Sequence, residues 1–156
     1  MRRFTHIYDR LYENYGPQGW WPAESSFEVI VGAILTQAVN WSNVEKSIQN
    51  LKDYNQGLTG KAEVTLELVD RLDQEKLAAL IRPSGYYNMK ARKLKAFTHF
   101  LLEEYGGSLG EMFKESLEDL RGKLLRVYGL GPETADSILL YAGGYPIFVI
   151  DAYTKR

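Results

Sequence analysis

The chain predicts an all-α fold on three observations. Apolar residues recur at helical spacing in one segment after another. Those segments begin at capping residues and end at glycine or proline, and no stretch alternates apolar and polar side chains as a half-buried strand would. With 156 residues and 45% hydrophobic content, the chain can bury one substantial core or two small lobes that share a cleft.

Phe4, Ile7, Tyr8, Leu11, Tyr12 and Tyr15 share one helix face, which Gly16-Pro17 stops, so the first helix is amphipathic and its apolar face needs a partner. Ser25 and Glu28 form a capping-box pattern ahead of the apolar run to Thr36. Asn40 or Ser42 can cap the next helix, which carries Trp41, Val44, Ile48 and Leu51. A polar linker is expected around Gly57 to Gly60, followed by short helices near Thr65 to Asp70 and Asp73 to Ile81, ended by Pro83-Ser84-Gly85. Asn88 opens a helix with Leu94, Phe97, Leu101 and Tyr105 on one face, stopped by Gly106-Gly107. Ser116 and Asp119 cap a helix that ends at Gly129, and Pro132 suits the first turn of another running to about Gly143. Ile147 to Ile150 reads as a short buried extended link, and Asp151 as the cap of a further helix cut short at Lys155-Arg156, as in a shortened chain.

Composition excludes several classes of function. Zero cysteines rule out disulfides, thiolate zinc sites and a Cys-ligated iron–sulfur cluster within these residues, and two scattered histidines make no ligand pattern. No metal site is expected. The longest apolar runs fall far short of the ~20 residues that cross a bilayer, and the start lacks the apolar core of a secretory signal. The expectation is a soluble protein of the cytoplasm, nucleoid-associated if bacterial. A net charge of -1 gives no global signal for nucleic acid, but Arg82, Lys90, Arg92, Lys93 and Lys95 form a run with no acid among them, and Arg121, Lys123 and Arg126 precede Gly129. A solvated helix face explains such runs equally well.

Between Leu125 and Asp136 the order Gly129-Leu130-Gly131-Pro132 joins two helices. Free N–H groups at the start of the second helix, with the favourable end of its dipole, suit an anion such as a DNA phosphate, although a lone Gly-x-Gly is by itself an ordinary helical hairpin.

The longer stretch from Val127 to Leu139 resembles the hairpin of the endonuclease III superfamily of helix-hairpin-helix DNA glycosylases. Gly143-Gly144-Tyr145-Pro146 followed by Phe148-Val149-Ile150-Asp151 is similar to the family's glycine/proline link and its apolar-apolar-Asp signature. Ile34-Leu35-Thr36-Gln37 resembles the segment whose glutamine enters the duplex, and Pro83 to Ala91 resembles a further family turn. These four matches come in order and cover roughly residues 20 to 154.

The resemblance implies a six-helix barrel over 22–150 with the helix-hairpin-helix at about 118–143. It also implies a second helical lobe, incomplete here, that draws on residues 1–21, with a return helix starting over 151–156. It makes Asp151 the catalytic residue, opposing positive charge on the deoxyribose and orienting water, though Asp151 is equally a plain helix cap. Gln37, Gly129, Leu130, Gly131, Thr134 and Lys90 are expected to contact DNA. Glu133 stands where bifunctional members carry the lysine that forms a Schiff base, so a monofunctional enzyme is favoured. The words Trp20-Trp21-Pro22 and Arg82-Pro83-Ser84-Gly85 look most like the 3-methyladenine branch, whose base pocket would use Trp20, Trp21, Pro22, Trp41 and Glu133. Aromatic faces favour a cationic alkylated purine, although adjacent tryptophans also suit a core or a hinge.

The expected partner is double-stranded DNA bearing a damaged base, bound by a monomer, with no membrane involved. No cofactor is expected within this chain; a 4Fe-4S cluster of the kind many relatives carry would lie beyond Arg156. The alternatives are a bifunctional glycosylase with abasic-site lyase activity, a non-catalytic helix-hairpin-helix DNA-binding module and, more distantly, a helical interaction domain without DNA.

Overall fold

The computed structural model describes residues 2–151 and 154, and within them the secondary structure is entirely helical. In order the helices are α1 (Arg2–Tyr15), α2 (Ser26–Leu35), α3 (Trp41–Thr59), α4 (Leu66–Arg71), α5 (Gln74–Leu80), α6 (Tyr87–Tyr105), α7 (Leu109–Met112), α8 (Leu117–Leu124) and α9 (Pro132–Ser137). A 3-10 turn, Arg82–Ser84, precedes α6, and α9 continues into a π-helical turn, Ile138–Ala142.

The most apolar helix lies at the centre. Every residue of α2 from Phe27 to Leu35 is buried, and α3, α6, α9 and the π turn all pack on it. Burying a helix on all sides leaves no room for a polar face, which is why α2 reads as an apolar run rather than as a stripe. α6 closes the other side through Ala91, Leu94, Phe97 and Leu101, against α4, α5 and α7.

Side-chain caps fix most helix starts, at Ser25, Thr65, Asp73 and Ser116 where the sequence places a start and at Ser108 where it does not. Ser25, Thr65, Asp73, Ser108 and Ser116 each accept from the backbone N–H three residues on. The box at α2 is half made: Glu28 turns its carboxylate to Lys52, 3.0 Å away, and Lys52 also reaches Glu24 at 3.0 Å.

Four expectations need correction. Gly57 lies inside α3, which runs on to Thr59 and stops only at Gly60, a left-handed cap with φ 80°. Neither Asn40 nor Ser42 makes the expected side-chain cap, since α3 starts at Trp41 with Asn40 lacking that hydrogen bond. α6 begins at Tyr87, with Tyr86 at φ 44° where a cap would sit, so Asn88 falls within its first turn. The link 147–150 is not buried: Phe148 is 74% and Ile150 53% exposed, and only the alternate residues turn inward.

α1 stands apart from this core. Phe4, Ile7, Tyr8, Leu11, Tyr12 and Tyr15 are each at least half exposed, so its apolar face has no partner of matching size among the described residues. The expected return helix at 151–156 lies largely outside the described residues.

Candidate functional site

The hairpin between α8 and α9 is anchored from below by Val127 and Leu130, both buried, and its turn is closed by the Leu130 N–H donating to Val127 O at 3.1 Å. Gly129 has φ 80°, a left-handed conformation that a side chain would strain, and a Cβ there would collide with the Lys93 stem. Gly131 differs: its φ of -88° suits any residue, and a Cβ would point into open space. Only a close approach from outside would require a glycine at 131. Leu130 and Thr134, both expected to touch DNA, are buried in the free protein.

Two links brace the hairpin. Arg121 on α8 donates to Asp136 on α9 through Nε and Nη2. The Arg92 guanidinium lies 4.1 Å over the Tyr128 ring, and Arg92, Arg126 and Tyr128 are exposed beside the turn.

The expectation for Lys90 fails. It is 1% exposed, and its ammonium donates to Leu35 O at 2.8 Å and Ser84 O at 2.5 Å, fastening the end of α2 to the 3-10 turn. Burial, and then the charge of Lys93, lowers its pKa to about 8. Of the lysines in the basic run, Lys93, one turn further along α6, reaches the hairpin, beside Arg92 on Tyr128. The sequence reading missed it because both lysines sit in one run and the turn in the chain decides which points outward.

Gln37 is engaged on every polar position. Its Oε1 accepts from Lys93 Nζ at 2.5 Å, and its Nε2 donates to Gly129 O at 3.1 Å and Thr134 Oγ1 at 2.9 Å. The amide is therefore turned into the protein and ties the end of α2 to the hairpin, instead of projecting toward a duplex. The next residue, Ala38, has φ 53°, an uncommon conformation for a residue with a Cβ.

The aromatic cluster forms in part. Trp21 meets Trp41 edge-on, with ring centroids 5.6 Å apart and planes at 87°, and it meets Tyr141 of the π turn at 5.1 Å. Trp20, 73% exposed, joins none of the ring contacts among the described residues, and Pro22 and Glu133 are exposed as well. The expected five-residue pocket is thus reduced to Trp21 and Trp41, with Tyr141 as an added member. Two cavities, of about 470 and 310 Å³, are lined by other residues, such as Glu28 and Leu66 in one and Phe100 and Lys123 in the other.

Asp151 follows the extended link and is half-buried. Its Oδ1 accepts from the Thr154 N–H and from Thr154 Oγ1, each at 2.7 Å, which is the geometry of a helix cap. Burial, and then the Asp151 charge, raises the pKa of the Tyr141 phenol, so the charge of the carboxylate is felt at the aromatic cluster. Among the described residues no group of three or more His, Cys, Asp or Glu could hold a metal ion. No helix is long and apolar enough to cross a membrane.

The sequence profile of HhH-GPD superfamily base-excision DNA repair proteins matches residues 31–156. The chain belongs to that superfamily. The hairpin and Asp151 both fall inside the matched region. A Methanocaldococcus jannaschii protein bearing the name DNA repair glycosylase is 51% identical over 154 residues, 96% of this chain and 66% of its own length. Endonuclease III of Thermotoga maritima is 28% identical over 130 residues, 83% of this chain and 54% of its own. In structure the chain is similar to the H. pylori 3-methyladenine DNA glycosylase bound to 1,N6-ethenoadenine. The TM-score is 0.77 and the identity 36%, over 92% of this chain and 64% of that one. A non-covalent endonuclease III–DNA complex shares the fold at TM-score 0.70. The HhH-GPD chain described here therefore spans about two thirds or less of the length of these relatives.

Proposed function

We propose that this HhH-GPD chain is the hairpin-bearing lobe of a monofunctional DNA glycosylase that excises alkylated purines. The observation that carries the reading is the Trp21–Trp41–Tyr141 ring cluster, whose phenol senses the Asp151 charge, in a chain 36% identical to a 3-methyladenine glycosylase. The bare apolar face of α1 is where a second lobe, built with further helices of the whole protein, would pack.

The target nucleotide must leave the base stack, because its glycosidic bond is inaccessible within a duplex. Half-buried tryptophan and tyrosine rings favour a base that carries positive charge. In an N-alkylated purine the C1′–N9 bond breaks with its electron pair going to N9, which neutralises the base, so little acid assistance is needed. The Asp151 carboxylate opposes the positive charge left on the sugar and accepts a proton from the water that attacks C1′. Glu133, exposed in the first turn of α9, offers a carboxylate and no amine, so no Schiff base forms at that position.

The test is release of free base from methylated duplex DNA by the full-length protein, run with and without borohydride. Expected are released 3-methyladenine, intact abasic strands and no covalent adduct, with loss of release in Asp151→Asn and binding to damaged DNA retained. Efficient trapping would sink the monofunctional reading. DNA binding without base release would leave a non-catalytic hairpin module.

A further inference from the structure

We propose that Tyr141 is a positioning residue of the excision site: its ring locks Trp21 in place. The proposal rests on the role given to Trp21 above.

Trp21 lies in a loop between α1 and α2, where nothing in the backbone would hold an indole still. Its seat is made by three other elements. On α2, Gly32 leaves a notch: a Cβ there would stand 3.1 Å from Trp21 Nε1 and 3.2 Å from Cζ2, tighter than ordinary contact. On α3, Trp41 presents its edge. On the third side the Tyr141 ring lies tilted at 41°. Among the described residues Trp21 Nε1 is buried without an acceptor, so the indole is held by shape and depends on each wall.

The third wall exists because α9 does not continue as an α-helix. After Ser137 the backbone widens into the π turn Ile138–Ala142, with the Gly143 N–H donating to Ile138 O, five residues back, at 3.1 Å. Tyr141 sits on that widened turn, which packs against α2.

The experiment compares wild type, Tyr141→Phe and Tyr141→Leu in the full-length protein. One NMR readout needs no substrate: solvent exchange of the Trp21 indole N–H. The indole proton is expected to stay protected in Tyr141→Phe and to exchange at least roughly tenfold faster in Tyr141→Leu. Base release should follow the same order, with kcat several-fold lower in Tyr141→Leu than in Tyr141→Phe. Protection retained in Tyr141→Leu, or lost equally in Tyr141→Phe, overturns the ring's role. Should Tyr141→Leu not fold, Tyr141→Met supplies the ring-free reading. A wild-type protein that releases no alkylated purine removes the substrate reading, while the exchange readout still decides Tyr141.

Discussion

Arg121 holds Asp136 in a two-pronged ion pair, Nε to Oδ1 at 2.6 Å and Nη2 to Oδ2 at 3.2 Å, and so joins the two helices of the hairpin directly. The Asp136 side chain is 9% exposed and the Arg121 side chain 37%. The carboxylate is therefore shielded, while solvent reaches the guanidinium and weakens the pair.

Replacing Asp136 with alanine leaves Arg121 facing a buried gap. Discounted for the exposure of the guanidinium, the expected loss is about 1–2 kcal/mol of unfolding free energy. Urea denaturation of Asp136→Ala, Arg121→Ala and the double variant measures it. A double variant as unstable as the sum of the singles would show that the pair contributes nothing of its own.

Lys90 gives a pH signature. Its folded pKa of about 8 lies below the ordinary value of 10.5. Between those values the unfolded chain binds more protons than the folded one, so stability rises as pH increases through this window, by at most about 1.4 kcal/mol per unit. The neutral amine keeps two N–H donors, enough for the carbonyls of Leu35 and Ser84. In chemical denaturation, wild type should therefore gain stability relative to Lys90→Met between pH 8 and 10. A constant difference across that range would contradict the assigned environment.

The two hairpin glycines should separate folding from binding. Gly129→Ala combines strain at φ 80° with a clash against Lys93, and is expected to lower both stability and affinity for any DNA. Gly131→Ala has room in the free protein, so its stability should stay within about 0.5 kcal/mol of wild type. Its DNA affinity should fall only if a phosphate approaches the backbone there. Thermal melts and salt-controlled binding isotherms on undamaged duplex distinguish the two. Unchanged affinity in Gly131→Ala would remove that backbone from the interface.

What the sequence could show followed from local rules. Ser25, Thr65, Asp73 and Ser116 mark helix starts because capping needs only the next three residues. Gly129 was legible because a turn between two periodic segments leaves few choices. Lys90 was misread because its two acceptors come from elsewhere: Leu35 lies 55 positions away, and Ser84 accepts only through the fold of the 3-10 turn. Tyr141 went unseen because a tyrosine late in an apolar helix looks like core, and the π turn that aims it at Trp21 has no sequence signature of its own. The exposure of Phe148 and Ile150 is not legible in the sequence, because a short apolar run does not say which of its faces has a neighbour.

Gln37 carries the sharpest separation of roles. As a bracket it makes three hydrogen bonds, one from Lys93 and two to the hairpin, spanning from α2 to residues more than 90 positions later. Gln37→Ala should then cost about 1–3 kcal/mol of stability, since Lys93 Nζ and Thr134 Oγ1 lose a partner in a partly buried place. The same change should weaken binding to undamaged DNA, because the hairpin loses its brace. A glutamine that served only to fill the gap left by a flipped base would behave differently: stability and binding to plain duplex would hold, and only excision would fall. Differential scanning calorimetry on the free protein separates the two readings before any DNA is added. An unchanged melting temperature in Gln37→Ala would show that the hydrogen bonds to Gly129 and Thr134 do not brace the hairpin.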